Sequence, residues 1–453
     1  MARGSLSVIG DERSKDQPNS ERELRGDERR RLAILGLPTF GMALAITAVS
    51  AYLPVVASQF TSSATVIGVI IGGEGVMALW IPVIAGSWSD RLTTPIGRRL
   101  PFILAGTPMM LVGLALMGVV DSLVAIAIVV GVFFAGYFVA YEPYRALYPD
   151  IFGEEVAGRA QGNQAVWRGL GTGAALLSGG ALLSAASFLP FACAAVVLAL
   201  ANGAFAILLL RYGNPPRGEA ELDAQGVGEI AARVRRLLSE HPALRAYLVA
   251  NALWELAMGA LKTFVVLYVT VGLGFELAQA SLIIGGVAAI VLLGGLISGK
   301  LADRFGRLRI MRAGLWVYGL ALLVPVLTDS PPLLIPAVPV IALGGGMIMG
   351  LPYALLMPLM PEGEHGAITG VYSLSRGIGT TLGPILGGAA IQLLGPVLFD
   401  STSGYAAVWV VTAAAILASL PFLARMRAAR GDRAELRGAS DELAATGHSS
   451  SAT

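Results

Sequence analysis

The chain is short of reactive side chains. Among 453 residues there is one cysteine, Cys193, and three histidines. A lone thiol excludes an intramolecular disulfide framework. His241, His365 and His448 are scattered and form no metal-ligand spacing. There is no Gly-x-x-x-x-Gly-Lys-Ser/Thr loop, so ATP is not expected to drive the protein directly. No Ser-His-Asp or cysteine nucleophile arrangement is present either, so neither an enzymatic activity nor a cofactor is expected. Charge is the scarcest commodity. Asp, Glu, Lys and Arg make up 14% of the residues, against about 25% in an ordinary soluble domain. That excludes a water-soluble globular enzyme and a disordered protein. The net charge is only +2, and no nucleic-acid partner is expected.

Apolar residues fill the remainder. They make 55% of the chain, with 57 glycines and a mean hydropathy of +0.71. A helix needs about 20 apolar residues to cross a bilayer core. Twelve stretches qualify, over about 32–58, 63–87, 100–120, 122–148, 161–184, 188–210, 244–271, 278–299, 308–328, 332–358, 366–393 and 403–425. Backbone groups in lipid must pair internally, and runs this long and apolar read as helices rather than barrel strands. The first stretch is too long for a cleavable leader, and a polar segment precedes it. The expected fold class is therefore an all-α membrane protein. Its expected organisation is a disordered N-terminal tail (1–31), a six-helix bundle (32–211), a linker (212–243), a second six-helix bundle (244–427) and a disordered C-terminal tail (428–453). The linker is expected to hold a short amphipathic helix around 230–238.

Basic residues cluster on alternate turns. Arg91, Arg98 and Arg99 fall on one side, with Arg159, the linker arginines Arg217, Arg233, Arg235 and Arg236, and Arg304, Arg307 and Arg309. The turns of the other side carry Asp121, Glu276, Asp329 and Asp400 and no Lys or Arg. The positive-inside rule places both termini in the cytoplasm, and the protein in the cytoplasmic membrane.

The two halves repeat. G-S-W-S-D-R from Gly86 to Arg91 corresponds to G-K-L-A-D-R-F-G-R from Gly299 to Arg307. P-Y-R-A-L-Y-P from Pro143 matches P-Y-A-L-L-M-P from Pro352, and R-G-L-G-T from Arg168 matches R-G-I-G-T from Arg376. The copies are about 210 residues, or six spans, apart, so they share a membrane orientation. Twelve helices in two parallel six-helix repeats describe a transporter whose halves rock about a central site.

With these motifs the sequence resembles the major facilitator superfamily, whose commonest signature is a Gly-x-x-x-Asp-Arg-x-Gly-Arg turn. Gly299, Asp303, Arg304, Gly306 and Arg307 match that turn closely, and Gly86, Asp90, Arg91, Gly97 and Arg98 form a stretched copy. The stretched form, S-D-R-L-T-T-P-I-G-R-R-L-P-F-I from Ser89, is similar to that of the plant-type sucrose/proton symporters. So is P-Y-R-A-L-Y-P-D-I-F-G from Pro143. The aspartate those symporters carry eleven residues before the arginine is Phe134 here. The resemblance implies gate roles for the two turns, with Asp90 facing the start of the eleventh span and Asp303 that of the fifth. Gly86 and Gly299 would permit close helix approach there. G-T-T-L-G-P-I-L-G-G from Gly379 also resembles a motif of drug/proton antiporters, although small residues at a packed helix interface give the same pattern.

Seven charges fall inside the expected spans: Glu74, Glu142, Arg145, Arg168, Glu255, Lys262 and Arg376. Each costs about 2.5–3.5 kcal/mol at the bilayer centre on insertion scales and should line a cavity or face a partner. Glu142 and Arg145 share a helix face at i, i+3, as a substrate-binding pair or a gate. Glu255 and Lys262, at i, i+7, lie about 10.5 Å apart along one face, and Asn251 extends that polar stripe. Glu255 reads either as a substrate or proton site or as half of an ion pair with another helix. Glu74, among Gly72, Gly73 and Gly75, reads as a proton-cycling group or as a hydrogen-bonded neutral acid. Arg168 and Arg376 occupy equivalent repeat positions, which favours shared architecture. Tyr137, Tyr141, Tyr144, Trp254 and Tyr353 are candidate ring-stacking surfaces, Trp254 first because it neighbours Glu255; each also reads as packing. The expected function is alternating-access transport of a sugar or small glycoside by proton symport, by a monomer in the lipid bilayer. The alternative is proton-driven export of a drug-like or other small organic compound.

Overall fold

A computed structural model describes residues 26–151, 154–212, 227–360 and 365–426. The expected tails lie largely, and the middle of the linker wholly, outside these residues. Every regular element among the described residues is helical. The first half holds α1 (Gly26–Ala57), α2 (Ala64–Arg91), α3 (Leu100–Leu116), α4 (Leu123–Ile151), α5 (Glu154–Ala185) and α6 (Leu189–Tyr212). The linker contributes α7 (Val227–Glu240), longer than the amphipathic segment expected. The second half holds α8 (Pro242–Leu267), α9 (Leu277–Phe305), α10 (Arg307–Ala321), α11 (Val324–Leu327), α12 (Pro331–Gly350), α13 (Pro352–Leu356) and α14 (His365–Leu398). A last helix, α15, spans Ala407–Met426. Ten of these segments are long and apolar enough to cross a membrane. The short apolar helix α3 and the more polar α5, with Asn163, Gln164 and Arg168, complete twelve.

The ends follow local chemistry. Ser63 caps α2 by accepting from the Val66 amide. A proline in the first turn opens α3, α8 and α12, where a missing N–H costs nothing. Two expected spans are discontinuous. The ninth breaks between α10 and α11, just before Pro325. The tenth breaks at Leu351 between Gly350 and Pro352, and α13 then passes into a 3₁₀ turn at Met357–Leu359. Proline cannot donate to the preceding turn, and glycine holds a helix weakly. The twelfth span starts later than expected, because Asp400–Thr402 form a 3₁₀ turn and Ser403 and Gly404 take left-handed φ of 50° and 84°.

Within the first half α1 packs on α5 and α6, and α3 packs on α4 and α6. Within the second, α9 and α10 pack on α12, and α8 packs on α14. Two main seams join the halves, α2 on α14 and α5 on α9, with a smaller contact of α1 on α8. In the repeat the two main seams are one arrangement used twice, second span of one half against fifth of the other. Both seams are built on small residues. A Cβ on Gly68 would stand 2.1 Å from the Pro384 carbonyl oxygen, and one on Gly388 2.3 Å from that of Ala64. Across the other seam, a Cβ on Gly285 would stand 2.3 Å from Leu177.

These contacts belong to the end of the bundle where the turns carry no Lys or Arg, here the charge-poor end. At the opposite, arginine-rich end, a Cβ on Gly86, Gly299 or Gly370 would meet nothing within 4 Å. The side chains at the starts of α14 and α5, expected to face Gly86 and Gly299, fall outside the described residues. The turn glycines themselves follow the repeat: Gly97 and Gly306 take φ of 90° and 92°, a region L side chains avoid.

The antiporter-like run in α14 is a packing surface. A Cβ on Gly383 would lie 2.3 Å from the Leu256 carbonyl oxygen of α8, whereas one on Gly73 meets open space. Gly383→Ala should lower the unfolding temperature in detergent, since overpacking a tight contact costs about 1–3 kcal/mol. Gly73→Ala should leave it unchanged or raise it slightly, because alanine favours a helix.

Candidate functional site

Ionisable side chains converge on the gap between the halves in three groups. The deepest joins α2 to α8. Glu74 lies about 15 Å along α2 from its first residue. It is buried, and Lys262 Nζ donates to both its carboxylate oxygens at 3.0 and 3.2 Å. Ser50 Oγ on α1, fully buried, donates to the same carboxylate at 3.4 Å. The carboxylate thus has three donors from both halves. Desolvating it without them would cost several kcal/mol. Farther toward the charge-poor end, Tyr52 Oη hydrogen-bonds Ser281 Oγ at 2.9 Å and donates to the Leu176 carbonyl. Ser63 Oγ donates to Gln392 Oε1 at 2.8 Å. These three cross-half links lie from Glu74 toward that end.

The second group belongs to the second half. Arg376 Nε on α14 donates to Glu255 Oε1 on α8 at 2.8 Å, and its side chain remains 48% exposed. Tyr372, one turn before Arg376, stacks on Tyr247 and meets Tyr353 edge-on at 5.9 Å. The third group belongs to the first half. Arg145 stands 3.6 Å from Glu142, beyond hydrogen-bond distance, with its side chain 42% exposed. Arg168 Nη2 donates to Tyr141 Oη at 2.6 Å, and both arginines flank the Tyr141 ring. Tyr137 stacks on Tyr141 with centroids 5.0 Å apart. Arg145 belongs to the first half and Arg376 to the second, so both halves carry partly exposed arginines.

Several candidates fall elsewhere. Trp254 has 1% exposure, and its Nε1 donates to Ser419 Oγ on α15 at 2.9 Å. It presents no ring face to the gap. Adjacent helical residues point about 100° apart, so the proximity to Glu255 that favoured it turns it inward. Asn251 is equally buried and donates to Ser375 Oγ on α14 at 2.8 Å. Tyr144 is held inside the first half by Thr39 and by the Leu35 carbonyl. Its repeat counterpart Tyr353 is 48% exposed. Arg168 and Arg376, equivalent in the repeat, have unlike partners, a tyrosine from α4 and a carboxylate from α8. Sequence reading missed Ser50 and Tyr372. The one-turn spacing of Tyr372 and Arg376 was available as a signal; nothing marked Ser50.

In the first turn Arg99 Nη1 donates to Ser89 Oγ at 2.6 Å. Asp303 and Arg307 approach to 4.0 Å with the aspartate side chain 74% exposed, and Arg307 Nη1 donates to the Ala354 carbonyl at 3.0 Å. Arg304 lies over the Phe305 ring, and Arg91 is exposed. The Asp90 side chain and those at the start of α5 fall outside the described residues.

The family model described as Major Facilitator Superfamily matches residues 35–384 and 256–448. The chain belongs to the major facilitator superfamily. Among solved structures it is similar to a bacterial homolog of the human lysosomal transporter Spinster in an inward-facing, occupied conformation. The TM-score is 0.73, with 15% identity over 90% of this chain and 98% of that one. It is also similar to the nucleoside transporter NupG, with a TM-score of 0.68 and 15% identity over 88% and 98%. At this identity the likeness concerns the fold. Curated relatives match over shorter stretches. An uncharacterized MFS-type transporter, YfiU, of Bacillus subtilis is 30% identical over 22% of this chain and 19% of its own. The "Probable actinorhodin transporter" of Streptomyces coelicolor is 27% identical over 30% and 25%. The chain therefore spans a quarter or less of these curated relatives. Superfamily membership fits the paired seams, and it makes this a multi-pass membrane protein with three charged groups lining its interhalf gap.

Removing the cation of the deepest pair should be worse than removing both charges. In this superfamily member, Lys262→Met strands the Glu74 carboxylate and should cost about 1–3 kcal/mol, less than a fully buried pair because Lys262 is 39% exposed. Glu74→Gln/Lys262→Met should recover most of the loss, as read by thermal unfolding in detergent.

Proposed function

We propose that the protein is a secondary active transporter that carries a sugar or small glycoside through the gap between its halves by alternating access, with protons as the coupling ion. One observation carries the reading. From Glu74 to the charge-poor end the halves are joined by the Glu74–Lys262 pair and the Tyr52–Ser281 and Ser63–Gln392 hydrogen bonds, and toward the arginine-rich end the partly exposed Arg145, Arg376 and Tyr353 stand in otherwise apolar helices. The positive-inside rule puts the arginine-rich end in the cytoplasm of a cell whose cytoplasmic membrane holds the protein as a monomer. The conformation described is then the inward-facing one.

The chemistry of the lining supports each part. Tyr141, Tyr137 and Tyr353 offer ring faces of the kind sugars stack on, and Glu142, Arg145, Glu255 and Arg376 offer donors and acceptors for hydroxyls. Glu74 carries the coupling proton. Ionised, it attracts Lys262 and holds α2 to α8. Protonated, it loses most of that attraction, so protonation weakens the seal across the charge-poor end. Changes in the protonation of Glu74 would then alternate the seal with a matching closure at the cytoplasmic turns, where Asp90 and Asp303 act as gate residues. Arg168 orients Tyr141, and Arg376 orients Glu255. A proton-driven exporter of a small organic compound is the second reading, favoured by the likeness to the "Probable actinorhodin transporter".

Purified protein in liposomes under an imposed pH gradient separates the two. Sugar or glycoside accumulation with the acidic side outside supports symport, and accumulation only of hydrophobic cations against the proton flow overturns it. Glu74→Gln should abolish gradient-driven uptake while sparing substrate exchange. Normal concentrative uptake by this variant would remove Glu74 from the coupling role.

A further inference from the structure

Among the described residues the intramembrane ionisable groups carry more positive than negative charge. Four cations, Arg145, Arg168, Lys262 and Arg376, face three carboxylates, Glu74, Glu142 and Glu255. Lys262 is matched by Glu74 at 3.0 Å and Arg376 by Glu255 at 2.8 Å. Glu142 is only loosely beside Arg145, at 3.6 Å. Arg168 has no acidic partner among the described residues; its bond is to the neutral Tyr141 hydroxyl.

The hydrogen-bond inventory points the same way. A guanidinium has five donors in a planar fork suited to a carboxylate or phosphate. Among the described residues Arg376 uses Nε alone, Arg168 uses Nη2 alone, and Arg145 makes no hydrogen bond. Both terminal nitrogens of Arg376, most of the Arg168 fork and all of the Arg145 fork are unspent. Arg145 and Arg376 keep 42% and 48% of their side chains exposed. They belong to opposite halves, and like charges brought together repel. Closing the gap at the arginine-rich end would bring like charges together and strip water from them, which opposes closure.

We propose that the transported solute carries a carboxylate or phosphate group, and that this group binds between Arg145 and Arg168 on the first half and Arg376 on the second. The inference rests on the transport reading above and narrows its substrate class from a sugar to an acidic one. The anion supplies the missing negative charge, occupies the unspent donors and cancels the repulsion across the gap. Binding thereby permits the cytoplasmic end to close, and the empty transporter is held open there. The Tyr137–Tyr141 stack beside the two first-half arginines would seat the ring that bears the acid.

The test uses the full-length protein in detergent, with binding read by calorimetry and fold by thermal unfolding. The probes are glucose, glucuronate and glucose 6-phosphate, together with benzamide and benzoate as a ring pair without hydroxyls. At least one anion should bind about tenfold or more tightly than its neutral partner. Which anion binds tells a carboxylate site from a phosphate site. Arg168→Gln should lose most of that preference with its unfolding temperature unchanged, and Arg168→Lys should keep most of it. Glucose binding as tightly as its two acids would overturn the proposal and leave the sugar reading standing. Binding of no anionic probe also overturns it, and failure of every probe to bind or cross a liposome removes the sugar-transport reading too. A folded Arg168→Gln protein that still prefers the acid refutes the assigned site.

Discussion

A carboxylate in the middle of a bilayer must find a cation or a proton, and Glu74 finds its cation on the opposite half of the molecule. The Glu74–Lys262 pair links the halves deep in the bundle, and the Tyr52–Ser281 and Ser63–Gln392 bonds lie between it and the charge-poor end. The two glycine-lined seams bring the backbones close enough for a lysine on α8 to reach a carboxylate on α2. Small residues supply the van der Waals contact, since lipid gives helices no hydrophobic reason to associate. The ion pair adds a term that one proton can remove. A seam of glycine alone would be permanent, and an ion pair alone would be too short in reach to close the gap.

The internal repeat explains where the molecule is symmetric and where it is not. The seams, the turn glycines at Gly97 and Gly306, and the order of the spans obey it. The charges do not. Arg168 and Arg376 sit at equivalent positions with unlike partners, and Tyr144 is buried where Tyr353 is exposed. Packing between rigid helices is satisfied by the same solution twice. A cleft between two halves holds one solute, and its lining is free to differ from side to side. The asymmetry thus separates the residues that build the frame from those that face the gap.

Much of the frame was legible because its physics is one-dimensional. Twelve apolar runs, the alternation of arginines and the repeated motifs are all properties of short windows. The breaks before Pro325 and at Pro352 were written in the sequence as well, yet Pro143 leaves α4 continuous. The pairing of charges was less legible. Spacing puts Glu255 and Lys262 on one face of α8, but each finds its partner on a helix that no window contains. Trp254 was misjudged for a related reason. With apolar residues all round a membrane helix, periodicity does not tell the gap-facing side from the side that packs on α15.

The central claim is that the Glu74–Lys262 pair holds the charge-poor end shut. Spin-label distances in a Cys193→Ser background test it most directly, with one label pair at Phe60→Cys and Leu393→Cys and another at Trp88→Cys and Gly370→Cys. The first pair spans the charge-poor end of the α2–α14 seam and the second the arginine-rich end. With Glu74 intact, the first pair should give a short, narrow distribution and the second a longer one. Glu74→Gln should lengthen the first and shorten the second. Unchanged distributions at both ends would contradict the claim.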